Sequence, residues 1–408
     1  MKKAIVLGGT NDHIILIKKL QEREYFTILI DYLDNPPAKG YADAFIKENI
    51  LDKEAILNIA ELEKPELVIA TCIDQALLTM AYVSEKLSLP CHLSYVDAVN
   101  ATNKAHMKQI FKSSNIPTSS FQIVNGENDI LVPKLQYPLV VKPVDANSSK
   151  GIQKTKNFEG TMKAIDNALK FSRCKSVIIE EFKSGIEISA DVILNSGEVY
   201  VLMISENLKS KLDENKFTIT QNIFTIELYE ELKDKVQDIA RSIAKAFNLN
   251  NVPLLLQLII NENEINVIEF SPRIGGGSKY HFIKKITGFD LLDFFINSIL
   301  NHNTAINFDV VKKYGSMNYI YAKQGVFKSV DFAEELKRYG IIDDYYFYKT
   351  LGMKITNSSS SSDRIMGFLV SSDNIKELYS KIDKTNNILK IRNELHQDIM
   401  IHDLFMTS

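Results

Sequence analysis

The chain of 408 residues is too long for one hydrophobic core, so its length predicts two to four domains. It is 45% hydrophobic and 24% charged with a net charge of −3, which is typical of a soluble globular protein and lacks the positive surplus of a nucleic-acid-binding protein. The apolar run after Lys3 stops at Gly8, too early for a signal peptide, and no later run reaches the roughly 18 apolar residues of a membrane span. Three cysteines without metal-site spacing fit a reducing cytosol, so we expect a cytoplasmic protein with neither a nucleic-acid nor a membrane partner.

The first hundred residues alternate strand and helix patterns. Apolar runs predict strands at 3–7, 26–30 and 67–70, and helical spacing predicts helices at 14–20 and 76–87. A strand, a Gly8-Gly9 turn, a helix and a strand within about thirty residues predict a right-handed βαβ unit of a parallel sheet. The turn lacks the full G-x-G-x-x-G pattern, so a dinucleotide cofactor is not favoured. The helix start after Gly9 could hold a substrate carboxylate or phosphate, or could be a tight βα turn. Asp74, just after the third strand, should face the substrate.

Two lysines and a loop of small residues come next. A helix predicted between Asn100 and Pro117 carries Lys104 near its start. A cation at this end is unfavourable for the helix, so its placement there indicates an anionic ligand. Lys142 ends an apolar strand, and small, hydroxylated residues fill the loop 145–151. Such a loop can cover a triphosphate with amide and hydroxyl donors while Lys142 contacts phosphate. Solvated lysines and a polar turn are the alternative.

Acidic residues surround the end of the next strand, predicted at 177–179. Glu180 and Glu181 follow it directly, and Glu187 lies a few residues further on. A strand that leads into an exposed hinge leaves backbone amides and carbonyls to read the edge of an adenine. The later carboxylate could accept hydrogen bonds from the two ribose hydroxyls.

The stretch 252–281 predicts a hairpin with polar residues inside buried strands. Two apolar runs, 254–260 and 265–270, flank the polar residues 261–264. Gln257 and Glu269 interrupt these runs at positions that should be dry, so each needs a partner to offset its desolvation. A divalent cation bound by both residues would supply one. A cross-strand hydrogen bond between the two side chains is the alternative.

The residues after this hairpin are suited to anions. Ser271 adds a hydroxyl, Arg273 a fixed positive charge, and the glycines 275–277 a loop whose amides can approach an anion closely. Oxygen ligands beside an arginine suit magnesium and phosphate. The residues Lys279, Tyr280 and His281 that follow should lie near the substrate, or on a surface loop.

From about residue 303 the composition shifts to a different pattern. Strands are predicted at 316–321 and 365–370, and helices at 329–339 and 374–384. These elements predict a small α+β domain. The stretch 357–362 contains five consecutive serines, cannot bury apolar surface, and is predicted to be a mobile loop.

Taken in order, these motifs resemble those of the ATP-grasp superfamily. They are a lysine that ends an apolar strand, a small-residue loop, an E-E-F hinge, and paired strands that end in E-x-x-P-R. The resemblance is greatest to the branch of biotin carboxylase, carbamoyl phosphate synthetase, glycinamide ribonucleotide synthetase and the L-amino acid ligases. It implies a mixed α/β and α+β fold: a Rossmann-like βαβ pre-ATP-grasp domain at 1–100, a two-lobed ATP-grasp domain at 101–302, and a carboxy-terminal α+β domain at 303–408. The small lobe would cover about 113–183 and the large lobe about 184–302.

The resemblance also implies roles for individual residues. The residues assigned to ATP are Lys104, Lys142, Ser148, Ser149, Lys150, Gly151, Glu180, Glu181, Phe182 and Glu187, with the loop 145–151 as a phosphate lid. Those assigned to the metal are Gln257, Glu269 and Ser271. Those assigned to the transferred phosphoryl group and the acyl phosphate are Arg273, Lys142 and Gly276. Two positions depart from the family pattern: Ser271 replaces the usual asparagine, and the lid contains only one glycine.

The implied activity is that of a carboxylate–amine ligase. Such an enzyme uses ATP and Mg²⁺, with Mn²⁺ as a substitute, to phosphorylate a carboxylate, and then joins the acyl phosphate to an amine, releasing ADP and phosphate. Its partners would be small-molecule carboxylates and amines, and a homodimer is common in this branch. The alternatives are an ATP-dependent carboxylase, an enzyme similar to glycinamide ribonucleotide synthetase, a nucleotide-binding protein without activity, and an NAD-dependent enzyme.

Overall fold

The computed structural model describes residues 1–125, 135–146, 150–209, 218–261, 264–302, 304–356, 360–402 and 404–405. Its strands are β1 Lys2–Leu7, β2 Tyr25–Asp31, β3 Ala44–Lys47, β4 Leu67–Ala70, β5 Phe121–Asn125, β6 Leu139–Pro143, β7 Gln153–Thr155, β8 Ser176–Glu181, β9 Ile186–Asn195, β10 Glu198–Lys209, β11 Ile219–Thr225, β12 Val252–Asn261, β13 Glu264–Ser271, β14 Tyr314–Ile320, β15 Gly325–Val326, β16 Ser329–Asp331, β17 Asp344–Phe347, β18 Lys354–Ile355, β19 Met366–Ser372 and β20 Lys390–Arg392. Its helices are α1 Asp12–Gln21, α2 Lys53–Glu63, α3 Ala76–Lys86, α4 Tyr95–Thr102, α5 Lys104–Ser113, α6 Phe158–Phe171, α7 Ile226–Ala246, α8 Lys279–Thr287, α9 Leu291–Ile299, α10 Ala333–Arg338 and α11 Ile375–Ile388. The predicted mixed α/β class is confirmed.

The amino-terminal sheet is parallel, in the order β3-β2-β1-β4. The predicted βαβ unit is therefore confirmed. All four strands end at the same edge of the sheet, which is where open α/β sheets bind ligands. Asp31 ends β2 at this edge, and its carboxylate accepts a hydrogen bond from the Gly9 amide at 2.7 Å. The loop that follows β4 brings Cys72 and Asp74 to the same place.

A second sheet, in the order β5-β8-β6-β7, is antiparallel and carries Lys142 and Glu180. Helix α6 covers one face of it. The Asn157 side chain caps this helix by accepting a hydrogen bond from the Gly160 amide. Its apolar stripe, including Ile165 and Leu169, packs against buried strand residues such as Val177. This small hydrophobic core fixes the positions of β6 and β8.

The largest sheet has eight antiparallel strands in the order β13-β12-β9-β10-β11-β14-β19-β17. Helix α7, which the sequence patterns did not single out, packs on β10 through an apolar stripe that includes Leu232, Val236 and Ile243. The last three strands of the sheet follow residue 302. The sheet therefore continues past the point where the third domain was expected to begin, and the domain boundaries stay a prediction.

Two predicted helices differ from those in the structure. The helix expected between Asn100 and Pro117 is divided into α4 and α5, because Asn103 leaves the helical conformation and its side chain caps the Ala105 and His106 amides. The helix expected at 329–339 begins instead with strand β16, and Phe332, at a φ of +69°, separates that strand from the short helix α10. Residues 357–359 of the expected mobile loop lie outside the described residues, and Ser360 begins a capped 3₁₀ turn.

Buried histidines make the fold sensitive to acid. Burial lowers the pKa values of His13 and His92 to about 4 each. As the pH falls from about 6.5 towards 4, the unfolded chain binds protons that the folded chain does not, so stability is lost across this window, by about 2 kcal/mol per histidine at pH 5. Burial raises the pKa values of Asp12 and Asp191, so the protonation of these two aspartates stabilises the folded chain as the pH falls.

We therefore expect His92→Gln to reduce the acid sensitivity. His92 Nε2 lies 3.1 Å from the Pro272 carbonyl oxygen, and a glutamine amide can donate to the same acceptor. Urea unfolding at pH 7 and pH 5 measures the difference between the two proteins. The loss of unfolding free energy on acidification should be smaller in the variant by about 2 kcal/mol. Equal losses would show that His92 does not titrate in this way.

Candidate active site

One cavity of about 1240 Å³ lies where the three sheets meet. The amino-terminal sheet contributes Asp74, the second sheet Lys142, and the eight-stranded sheet Gln257 and Glu269. Among the residues assigned from sequence, those that line this cavity are Lys104, Lys142, Lys150, Glu180, Glu181, Phe182, Glu187, Gln257, Glu269, Ser271, Arg273 and Gly276. Residues far apart in the chain therefore lie around a single space.

Three of the assigned lid residues are exceptions. Ser148 and Ser149 lie outside the described residues. Gly151 does not line the cavity. It has a φ of +73°, and a Cβ at this position would lie 2.8 Å from the Phe171 ring, so a glycine is required here for packing.

The two expected metal ligands face each other across the hairpin. Gln257 and Glu269 are directly paired between β12 and β13. A bulge follows, because Leu258 pairs with Val267 and Ile268 is the extra residue. Ser271 lies two residues after Glu269 and therefore on the same face of β13. The Glu269 carboxylate is 3.3 Å from the Lys104 ammonium, which joins the expected metal site to the expected phosphate site.

The oxygen atoms of this face fit magnesium. No group of three or more His, Cys, Asp or Glu side chains that could hold a metal occurs in the described part of the chain. The ligands expected from the sequence are one carboxylate, Glu269, and the neutral oxygens of Gln257 and Ser271. Magnesium is commonly held by one or two carboxylates together with water and substrate phosphates. The Ser271 hydroxyl lies near Asp74, but its buried oxygen has no hydrogen-bond partner of good geometry among the described residues. A ligand atom can therefore approach it.

The Glu180 carboxylate is paired with two lysines. Its buried carboxylate lies 3.0 Å from the Lys142 ammonium and 3.3 Å from the Lys108 ammonium. Burial favours the neutral acid, but the two lysines outweigh it and lower the pKa of Glu180. Burial also lowers the pKa of Lys108 to about 8. Lys108 was not among the assigned site residues, and it links the lobes because its ammonium also donates to the Val267 carbonyl on β13, at 3.2 Å.

The backbone of the expected adenine hinge is partly engaged. The Glu181 amide donates to the Ser120 carbonyl at 3.0 Å, and the Phe182 amide donates to the Pro138 carbonyl at 2.9 Å. The expectation that these two amides are free to read an adenine edge is therefore wrong. The Lys183 amide donates to no acceptor within the described residues and lies beside the cavity.

Glu187 lies on β9 at the cavity wall. Its carboxylate accepts hydrogen bonds from the Lys209 ammonium and from the Asn207 side-chain amide, the latter at 3.4 Å. Lys209 and Asn207 belong to the end of β10. A carboxylate with one long hydrogen bond still has acceptor capacity for ribose hydroxyls.

Arg273 is held by the amino-terminal sheet. Its guanidinium lies 2.6 Å from the Asp74 carboxylate and also donates to the Ile274 carbonyl at 3.0 Å. Burial favours the neutral acid, but Arg273 and its neighbours lower the pKa of Asp74. The expectation that Asp74 faces the substrate side is consistent with its place in the cavity wall. The arginine is thus charged and fixed in orientation.

The glycine loop is not wholly available to a bound anion. The Gly277 and Ser278 amides both donate to the Asp12 carboxylate, at 2.9 Å each. The expectation that all three glycine amides face a bound anion is therefore wrong for Gly277. Gly276 lines the cavity, and a Cβ there would lie 3.2 Å from the Cys72 carbonyl oxygen, so glycine lets the two backbones approach.

Residues after 302 form a further wall of the cavity, which the sequence patterns did not predict. Tyr319, Tyr348, Lys349 and Arg364 all line the cavity. The Arg364 guanidinium lies 3.5 Å from the Tyr319 ring centroid, and its Nε donates to the Tyr321 hydroxyl at 3.2 Å. In the part of the chain that the structure describes, no carboxylate lies within salt-bridge distance of Arg364. No local pattern marks these residues, since Tyr319 lies on β14 and the other three lie just outside β17 and β19, strands that are distant from β14 in sequence.

Lys279 and the two residues that follow it line different cavities. Lys279 lines the large cavity. Tyr280 and His281 line a smaller hollow of about 280 Å³ with Lys18 and Asp290, and the His281 ring stacks on Tyr346. Of these three residues, the large cavity therefore includes only Lys279.

Comparison with known proteins agrees with this geometry. Residues 135–280 match the family model described as an ATP-grasp domain. The chain therefore contains an ATP-grasp domain at residues 135–280. Its fold is similar to that of an L-amino acid ligase from Bacillus licheniformis, with a TM-score of 0.80 and 21% identity over 97% of this chain and 99% of that one.

Curated relatives cover the chain to different extents. A D-alanine–D-alanine ligase from Flavobacterium johnsoniae is 27% identical over 330 residues, covering 72% of this chain and 97% of that protein. The carbamoyl phosphate synthase large chain from Clostridium acetobutylicum is 22% identical over 251 residues, covering 61% of this chain. The chain spans about a quarter of the length of such large chains, since the match covers 23% of that one. No helix in the described ranges is long and apolar enough to cross a membrane.

Proposed function

We propose that this chain is an ATP- and magnesium-dependent ligase that phosphorylates a carboxylate and joins the acyl phosphate to an amine, releasing ADP and phosphate. The observation that carries the proposal is the arrangement around the cavity. Gln257 and Glu269 face each other on one wall, with Lys104 at 3.3 Å from Glu269, while Lys142 and Arg273 line the same space. Opposed cations and oxygen ligands around one cleft suit phosphoryl transfer, which needs alignment and charge neutralisation.

The triphosphate would replace the protein's own carboxylates around the lysines. Lys104 is now paired with Glu269, and Lys142 with Glu180. Phosphate oxygens can take these ammonium groups as charge-assisted partners. Lys150 would add a third cation from the lid. Glu187 would bind the ribose, and the Lys183 amide would replace those of Glu181 and Phe182 in reading the adenine.

Gln257, Glu269 and Ser271 would hold the metal. Magnesium in such a site neutralises charge between the β- and γ-phosphates, and manganese accepts the same oxygen ligands. Because Glu269 is the one carboxylate among these ligands, it would contribute most to binding a divalent cation. Ser271 is a weaker ligand than asparagine, so a second metal position would depend on Gln257 and on the phosphates.

The chain's own residues would then guide two displacements. In the first, a carboxylate oxygen bonds to the γ-phosphorus and the bond to the ADP oxygen breaks. In the second, an amine nitrogen bonds to the acyl carbon and phosphate leaves. Arg273, oriented by Asp74, would stabilise the charge that develops on the oxygen of the acyl group, and the Gly276 amide would donate beside it. Closure of the lid would exclude water from the acyl phosphate.

The surroundings of Arg364 indicate that one substrate carries an anionic group. Its guanidinium has no carboxylate partner among the described residues, and a buried charge is costly without one. A substrate carboxylate or phosphate could pair with it from inside the cavity. The carboxy-terminal residues would thus help to select the substrate.

We expect Arg364→Gln to raise the KM for the substrate that carries this anion by about 10- to 100-fold, because a charge-assisted hydrogen bond contributes about 1.5–3 kcal/mol. The KM for ATP should stay within about twofold of the original value, since Arg364 lies on a different wall from Lys142. Arg338→Gln is the matched control, because Arg338 also lies over a tyrosine ring, that of Tyr339, but on the surface. An unchanged substrate KM in the Arg364 variant would contradict this role.

A substrate screen tests the proposed function. The protein is incubated with ATP, Mg²⁺, pooled amino acids, other carboxylates and bicarbonate, while released phosphate and new masses are measured. We expect phosphate release that depends on a carboxylate, together with a product whose mass equals carboxylate plus amine minus water. A product that incorporates bicarbonate would indicate a carboxylase instead. Phosphate release that no carboxylate stimulates would contradict the proposal.

A further inference from the structure

Lys279 is a buried cation that has no assigned role in the proposed reaction. It is the first residue of α8, directly after the glycine loop, and is only 4% exposed, yet it borders the cavity. Its ammonium donates to the Ser205 hydroxyl at 2.8 Å and lies 3.5 Å from the Asp191 carboxylate. Asp191 Oδ2 is buried and has no hydrogen-bond partner of good geometry among the described residues. The two side chains therefore form a buried pair that is only loosely bonded.

The pair lies against the glycine loop. A Cβ at Gly275 would lie 3.0 Å from Lys279 Cγ and 3.3 Å from Asp191 Oδ1, so the missing side chain lets both residues approach the backbone there. Arg273 precedes this loop and Gly276 belongs to it. The pair is thus next to the groups that the proposed function places around the acyl oxygen.

The charged and titratable groups around the pair come from several elements. Arg273, just before the glycine loop, acts electrostatically on Asp191, and Arg364 acts on Lys279 from the carboxy-terminal wall. Tyr319, on β14, also interacts electrostatically with Asp191. Burial lowers the pKa of Lys279, and burial raises the pKa of Asp191. Both directions favour movement of the shared proton from lysine to aspartate.

An amine substrate requires a proton acceptor. Near neutral pH an aliphatic amine is an ammonium ion, and it can attack a carbonyl only after it loses a proton. Three other acids of the cavity are engaged: Asp12 accepts from two amides, Asp74 pairs with Arg273, and Glu269 belongs to the proposed metal site, whereas Glu206, on β10 next to Ser205, also lines the cavity. The Lys279–Asp191 pair has none of these roles.

We propose that Lys279 and Asp191 together accept the proton of the ammonium substrate, an inference that rests on the proposed function. Lys279 passes its proton to Asp191 and takes one from the ammonium, so that the lysine stays protonated and the aspartate becomes the neutral acid. The freed nitrogen lone pair bonds to the acyl carbon, the bond from that carbon to the phosphate oxygen breaks, and the second nitrogen proton leaves with phosphate. Lys279 is the catalytic residue, and Asp191 acts through it.

Hydroxylamine provides a test, since it is largely unprotonated near neutral pH and needs no base. The full-length protein is assayed with its carboxylate substrate, ATP and Mg²⁺, once with the amine substrate and once with hydroxylamine. Lys279→Met and Lys279→Arg should lower amide formation by about 100-fold or more, the scale of general base catalysis, while hydroxamate formation stays within about threefold. Hydroxamate formation also shows that the variant is folded. Lys284→Met, an exposed position on the same helix, is the matched control.

The pH dependence gives a second readout. The Lys279→Arg variant keeps the positive charge beside Asp191 but holds its proton far more tightly. Its amide formation should increase with pH in proportion to the free amine in solution, whereas the original protein should reach a plateau at lower pH. Equal losses of amide and hydroxamate in the variants, or full amide formation by Lys279→Arg, would overturn the inference. If the original protein forms no hydroxamate with any carboxylate, the proposed function itself fails, and this inference fails with it.

Discussion

Replacing Glu269 by alanine is expected to lower the rate of ATP-dependent product formation by about 100-fold or more while leaving the fold intact. Glu269 is the one carboxylate of the proposed metal site, and its side chain is 33% exposed to the cavity. Its contact is with Lys104 at 3.3 Å rather than with the hydrophobic core. The measurement is ADP release at saturating substrates, with the thermal unfolding midpoint as the test of folding.

Glu264→Ala is the matched control for this experiment. Glu264 begins the same strand, β13, but is exposed at the hairpin end. It should lose neither activity nor stability. If the Glu269 variant had the same turnover as this control, Glu269 would not be a metal ligand. The proposal that β12 and β13 form a wall of the active site would then lose its support.

Arg273→Lys should reduce turnover by about 100- to 1000-fold, the scale of losing one donor to a developing oxyanion. The guanidinium contacts Asp74 and the Ile274 carbonyl at once, and a lysine ammonium cannot reproduce this planar set of donors. The KM for ATP should change little, because the lysines that meet the triphosphate are unaffected. Steady-state kinetics with varied ATP and varied carboxylate separate the two effects.

Arg241→Lys on α7 is the control for Arg273, since Arg241 is exposed and pairs with Asp238 on the same helix. A second comparison is Asp74→Asn, which leaves Arg273 in place but removes its charged partner. It should lose less turnover than Arg273→Lys, because the cation remains. If Arg273→Lys were instead to raise the KM for ATP with turnover unchanged, Arg273 would be a nucleotide ligand rather than a stabiliser of the acyl group.

The hairpin could be predicted from the sequence because its signals are local. Alternation and the polar residues 261–264 predict two paired strands, but the pairing of Gln257 with Glu269 also depends on the bulge at Ile268, which periodicity does not predict. The βαβ unit was predicted for the same reason, as its apolar runs and turn lie within about thirty residues. Periodicity does not predict which residues a polar side chain contacts on the other side of a cleft.

The errors arose where distant parts of the chain meet. The sequence patterns did not indicate that Lys108, 72 positions before Glu180, and Lys142 contact the Glu180 carboxylate. The Gly277 amide looked free, but Asp12 binds it from 265 residues away. Arg364 gave no local signal at all, since its place beside Tyr319 depends on the pairing of β14 with β19. Each of these contacts is fixed by tertiary packing.

The central claim is that the γ-phosphoryl group of ATP passes to a substrate carboxylate. The most direct test uses the carboxylate substrate labelled with ¹⁸O in both oxygens, and mass spectrometry of the phosphate released during product formation. An acyl phosphate breaks between the acyl carbon and the bridging oxygen, so we predict that each phosphate carries one ¹⁸O atom from the carboxylate. Product formed together with unlabelled phosphate would contradict the account.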